Sequence, residues 1–150
     1  MNEQIRCVIH GSFSRDFHQI QRVAALFESA GISVLAPKLG EIVGSIDGFS
    51  VFSDEVNKDL RLIELEYLHN LKRLGQNGFS YFVNPGGYIG KSTSYELGVA
   101  QLTNVRCFYM DKPQDHPVYV HKNAVWSPED LVSYITTKGS LPPDMVAVNE

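Results

Sequence analysis

Short apolar runs that stop at a glycine, proline or acidic residue alternate with segments of helical period, and this pattern restricts the chain to a parallel α/β architecture. Ile5–His10 stops at Gly11-Ser12, Ile32–Ala36 at Pro37, Phe79–Val83 at Asn84-Pro85-Gly86-Gly87, and Val105–Met110 at Asp111. Between them, Asp16–Ala30 carries Phe17, Ile20, Val23, Ala24 and Phe27 on one helical stripe, with Gly31 as its stop. Asp54–Leu74 carries Val56, Leu60, Ile63 and Tyr67, flanked by Leu68 and Leu71, and ends at Gly75. A further helix is expected over Ser92–Leu102. Another starts at Ser127-Pro128-Glu129-Asp130, with Ser127 as N-cap and Pro128 at the first helical position. A fifth strand falls on either Val118–His121 or Asn123–Trp126. Lys38–Ser53 is glycine-rich without a clear period and reads as a long loop.

Right-handed crossovers between such strands give a three-layer α/β/α sandwich of about five parallel strands, in the order 2-1-3-4-5. The length of 150 residues suits one domain, residues 1–138, with residues 139–150 as a tail. In this architecture ligands sit outside the carboxyl ends of the strands. That rule selects three loops: Gly11–Asp16, Pro37–Ser53 and Asn84–Lys91.

Composition excludes several classes. Thirteen basic and 17 acidic residues leave a formal charge of −4, mixed along the chain, which argues against nucleic acid or an anionic membrane as partner. Cys7 and Cys107 lie in apolar runs, and no CxxC or Cys/His cluster exists, so neither a disulfide framework nor a zinc site is indicated. No apolar run approaches the roughly 20 residues of a bilayer span, and Met1–Arg6 lacks a signal-peptide core. A cytoplasmic protein is the expectation.

The chemistry concentrates in Gly86–Glu96, within Asn84-Pro85-Gly86-Gly87-Tyr88-Ile89-Gly90-Lys91-Ser92-Thr93-Ser94-Tyr95-Glu96. Its glycines let the backbone approach a ligand, and Ser92, Thr93 and Ser94 open a helix whose free N–H groups favour an anion such as phosphate. Glu96 reads as a first-turn residue, kept ionised by the helix dipole, and a carboxylate beside a sugar can attack its anomeric carbon. Two other readings fit the same letters. Thr93-x-x-Glu96 matches a capping box. Gly90-Lys91-Ser92 matches the end of a P-loop, but Pro85 stands where the first glycine belongs and Gly86 is one residue too close.

The string G-Y-I-G-K-S-T-S-Y-E-L-G-V-A resembles the central motif of the nucleoside 2-deoxyribosyltransferase-like superfamily, which includes nucleoside 5′-monophosphate N-glycosidases. The likeness is closest across Phe79–Ala100 and extends loosely to Gly11-Ser12-Phe13-Ser14-Arg15. It implies a flavodoxin-like sheet, cleavage between a base and its (deoxy)ribose, no cofactor, and a dimer or larger homo-oligomer. By motif position Glu96 is the nucleophile. Gly90, Ser92 and Thr93 hold the sugar 5′ group or its phosphate, beside Gly11, Ser12, Ser14 and Arg15, and Lys91 adds attraction for phosphate. Asn84, Gly87, Tyr88 and Phe13 complete the candidate substrate contacts. One departure stands out. The family places an acid–base Asp late in the helix before the third strand; here the nearest candidates are Glu66 and His69, with His69 the general acid. Pro85-Gly86-Gly87 followed by S-T-x-x-E also resembles the P-G-G-x-G-T-x-x-E motif of phosphoribohydrolases that release cytokinin bases, with a spacing longer by two. The departure leaves a second class open, a nucleotide-binding module of the same fold without catalysis. Asp47 is a further candidate for a ribose hydroxyl, or a turn residue with Gly48.

Overall fold

The computed structural model describes residues 4–37, 42–46, 49–52, 60–114 and 116–143. In chain order the elements are β1 (Arg6–Gly11), α1 (Phe13–Ser29), β2 (Ser33–Ala36), β3 (Ile42–Ile46), β4 (Phe49–Phe52), α2 (Leu60–Lys72), β5 (Gly78–Val83), α3 (Lys91–Leu102), β6 (Arg106–Tyr109) and α4 (Pro128–Lys138). Four strands form an all-parallel sheet in the order β2-β1-β5-β6, which is the expected order without its fifth member. At the fifth place a single parallel bridge joins Val125 to Tyr109, reinforced by Trp126 N–H donating to Tyr109 O at 2.8 Å. The second of the two segments considered for that strand therefore lies at the sheet edge. It bends away through a 3₁₀ turn at Lys122–Ala124 instead of extending the ladder.

Side chains alternate across the sheet, and the alternation divides the core. Cys7 and Ile9 of β1, with Phe79, Tyr81 and Val83 of β5, pack under α1 and α4 against Ile20, Val23, Phe27, Leu131 and Ile135. Phe27 meets Phe79 and Tyr81 edge-on at 5.7 and 5.3 Å, so Phe27→Ala costs about 3–5 kcal/mol. On the other face Val8 meets Tyr67, Leu71 and Leu74 of the α2 region and Ala100 of α3. Phe82 and Tyr109 stack there at 5.1 Å over Leu97. Two residues of that second face are polar and fully buried: His10 on β1 and Ser80 on β5.

Residues 42–52, expected as loop, contain an antiparallel hairpin, with β3 paired to β4 from Ile46↔Phe49 outward. Apolar residues flanking Asp47-Gly48 are the sequence pattern of a tight hairpin turn, and that local chemistry outweighs the lack of a long period. Asp47 itself lies outside the described residues, as does 53–59, the first part of the helix expected from Asp54. The N-cap at Ser127 is as expected, its Oγ accepting from Asp130 N–H at 3.1 Å. Among the described residues no helix is long and apolar enough to cross a membrane.

Candidate functional site

β1 and β5 run side by side with His10 opposite Phe82 and Val8 opposite Ser80. The His10 ring stacks on Phe82 at 4.4 Å and reaches diagonally across the ladder to Ser80. Its Nε2 lies 2.8 Å from Ser80 Oγ, and its Nδ1 lies 2.7 Å from Oε1 of Glu96 on α3. Glu64 of α2 completes the chain, with its carboxyl hydrogen-bonded to that of Glu96. Glu64 Oε1 is buried with no hydrogen-bond partner among the described residues. Tyr67, one turn along α2, donates its hydroxyl to Ile9 O at 2.5 Å, which pins the helix to the end of β1.

Burial sets the charge of each member. His10 is fully buried and falls to about 3, because desolvation outweighs the attraction of Glu64, so the ring is neutral. Glu96 rises to about 7, again chiefly by desolvation, with the Glu64 hydrogen bond pulling it back down. Glu64 rises to about 9 through its own desolvation and the charge and hydrogen bond of Glu96. The carboxyls titrate as a pair, and between the two values one proton is shared, residing on the Glu64 side.

A Ser–His–Glu chain invites comparison with nucleophilic serine chemistry, but accessibility excludes it. Ser80 and His10 are 0 % exposed in the middle of the sheet face, whereas Glu96 retains 5 % and Glu64 is half-buried. The carboxyl pair is the end of the chain less deeply buried, so any reactivity belongs there.

Two expectations about Glu96 need correction. α3 begins at Lys91 with Gly90 as its N-cap and no side-chain cap, so Thr93-x-x-Glu96 does not form a capping box. Glu96 lies past the first turn, and burial, acting against the dipole, raises its pKa above the range that would keep it fully ionised at neutral pH. His69, expected as the acid, is exposed on α2, as is Glu66; the carboxyl that α2 presents to Glu96 is Glu64. A signal for Glu64 existed. Glu64, Tyr67, Leu71 and Leu74 recur at helical spacing, so a carboxylate occupies the stripe that faces the sheet.

The glycine segment follows β5 and leads into α3, the helix that carries Glu96. Pro85–Gly87 forms a 3₁₀ turn with Gly86 and Gly87 at φ of 70° and 86°, conformations that favour glycine. Asn84, buried, clamps the next strand end: its Nδ2 donates to Asp111 O at 2.8 Å and its Oδ1 accepts from Asp111 N–H at 3.0 Å. Asp111 Oδ2 accepts from Gly86 N–H at 3.0 Å. A Cβ on Gly87 would lie 2.5 Å from Lys112 O and from Gln114 Cγ. Asn84 and Gly87 are therefore occupied in building the loop.

Around the rim, Ser12 Oγ lies 3.3 Å from Ser14 Oγ, and the Arg15 guanidinium sits 4.1 Å above the exposed Tyr88 ring. Lys91 is exposed, Ser92 half-buried and Thr93 buried at the start of α3. Gly11 is packed so tightly that a Cβ there would stand 2.9 Å from Val83 O. Phe13 is half-buried against both faces of the core, so it packs more than it lines a rim. His116, which the sequence did not single out, has Nε2 3.2 Å from Ser94 Oγ.

A separate hollow of about 500 Å³ lies between the 122–127 segment, α4 and Pro142–Pro143, and Glu96 does not line it. It is lined by Trp126 and Tyr134, whose rings meet edge-on at 5.4 Å. Against family models, curated proteins and solved structures, the chain matches none.

Proposed function

We propose that this protein cleaves the bond between a base and its (deoxy)ribose in a nucleoside or nucleoside 5′-monophosphate, as an N-glycosidase or deoxyribosyltransferase. One observation carries the reading. Two carboxyls, Glu96 and Glu64, are paired beside the buried His10 near the carboxyl end of β1, and burial raises them unequally, to about 7 and about 9. Between those values Glu96 is the ionised nucleophile and Glu64 the protonated acid.

In the proposed sequence a Glu96 oxygen attacks the anomeric carbon while the carbon–nitrogen bond breaks. The electron pair goes to the base nitrogen, which takes the Glu64 proton. Water, or a second base, then attacks the same carbon. Glu64 accepts the proton, and the Glu96 ester is released. The two carboxyls touch in the free protein, so the substrate must part them. Arg15, Lys91, Ser12, Ser14 and the N–H groups opening α3 would take the 5′-phosphate. The resemblance of the Phe79–Ala100 motif supports the same reading.

A second reading, a nucleotide-binding module without turnover, is favoured by the near-complete burial of Glu96 and by the engagement of its Oε1 with His10. Incubation with a panel of ribo- and deoxyribonucleosides and their 5′-monophosphates, with and without an acceptor base, separates the two by chromatography of free base. Release that disappears in Glu96→Gln supports cleavage. Binding by calorimetry with no release from any panel member supports the module.

A further inference from the structure

We infer that His10 is a positioning residue whose tautomer Ser80 sets: the Ser80 hydroxyl donates to Nε2, the ring's single proton sits on Nδ1 and is donated to Glu96 Oε1, and Oε2 is left as the oxygen that meets the sugar. This inference rests on Glu96 being the nucleophile and adds how that nucleophile is held.

The argument begins with the number of protons the ring carries. A ring with no solvent contact, stacked flat on Phe82 at 4.4 Å and 12°, is held neutral and so has one N–H for two close polar neighbours. The groups facing it are Ser80 and Phe82 from β5, Tyr67 and Glu64 from α2, and Glu96 from α3. Tyr67 spends its hydroxyl proton on Ile9 O and offers none to the ring. If the proton sat on Nε2, the Nδ1 lone pair would confront a Glu96 oxygen at 2.7 Å, which repels as soon as Glu96 ionises. With the proton on Nδ1 that contact becomes a charge-assisted hydrogen bond, and Nε2 needs a donor. Ser80 Oγ, at 2.8 Å and equally buried, is that donor.

This accounts for a serine in the middle of the central strand, where an apolar side chain would pack without a hydrogen-bond requirement. It also fixes the carboxylate plane of Glu96. An oxygen tied to the sheet cannot rotate toward the sugar, so attack is confined to the other once the substrate has parted the Glu96 and Glu64 carboxyls.

The tautomer is read directly by nitrogen NMR of protein labelled at histidine, and Glu96 ionisation by carbon NMR of its side-chain carboxyl; neither readout needs turnover. The expected result is an Nδ1–H, neutral His10 at pH 8, with a Glu96 titration that moves to higher pH in Ser80→Ala and in His10→Phe. His10→Asn places an amide N–H near the Nδ1 position and is expected to return the titration close to the wild-type value. If base release is found, its kcat falls roughly 100-fold in His10→Phe, as for a misplaced reacting group, and recovers in His10→Asn. An Nε2–H ring or an imidazolium at pH 8 overturns the inference. So does a Glu96 titration unmoved in Ser80→Ala and His10→Phe, which marks a purely structural contact. Should no substrate release base, the glycosidase reading fails while the tautomer and the titration still decide this one.

Discussion

His10 is the penultimate residue of β1 and Arg15 stands in the first turn of α1, yet they work under opposite electrostatic conditions. His10 is sealed between strand and helix, where desolvation decides protonation and the charge of Glu64 acts against it. Arg15, exposed, lies over Tyr88 in contact with water. The inner groups can be tuned but hardly reached, and the rim groups can be reached but hardly tuned. In the proposed reaction the first set lowers the barrier and the second holds the substrate, so their variants should separate kcat from KM.

The hardest blow to that division is Glu96→Gln. It should cost about 10³-fold or more in base release, with substrate affinity retained, checked by single-turnover kinetics and calorimetry. Comparable rates in the variant would remove the inner set from the chemistry. Glu64→Gln should lower kcat by roughly 10²-fold and abolish the alkaline limb of a bell whose limbs lie near 7 and near 9 in the wild type. A pH–rate profile tests it. At the rim, Arg15→Ala and Lys91→Ala should each raise KM for a monophosphate about tenfold and leave kcat unchanged, with no effect on the matching nucleoside. A fall in kcat instead would mean that rim and interior act together.

Stability gives a fourth test, and the signs differ between groups. His10 has a folded value near 3 against an ordinary 6.5, so its burial makes stability rise with pH across that interval. Glu96 and Glu64 are raised from 4.5 to about 7 and about 9. Their contribution is fully present below 4.5 and is lost as pH climbs through those folded values. Above 6.5 only the falling contributions remain, so Tm should decline by several degrees toward pH 9, and Glu64→Gln should flatten the decline. The smallest effect belongs to the surface. Arg22 pairs with Glu129 to link α1 and α4, both half-exposed, and Arg22→Ala should change stability by less than about 1 kcal/mol by denaturant titration.

The sheet was legible because apolar runs closed by Gly or Pro have few other uses, and the glycine loop because its residues are individually constrained. The hairpin with strands at 42–46 and 49–52 escaped because its two strands are shorter than any period test, although Asp-Gly between apolar runs is a hairpin signal in the sequence. His10 and Asn84 were visible as polar residues at strand ends, but not their partners, since Ser80 and Glu64 contact the site only through tertiary packing. His69 drew attention because histidine titrates near neutrality. Helical phase places it on the far side of α2 from Tyr67, and one turn of helix decided which carboxyl or imidazole reached Glu96.

The contact between Gly87 and the chain after β6 has a consequence for anyone redesigning this protein. With no room for one more carbon between Gly87 and Lys112 or Gln114, and with Asn84 and Gly86 tied to Asp111, the two loops fit as one casting. Shuffling either loop alone would break that fit. Grafts should transplant residues 84–90 and 111–114 as a single cassette, and libraries should be built with both varied at once.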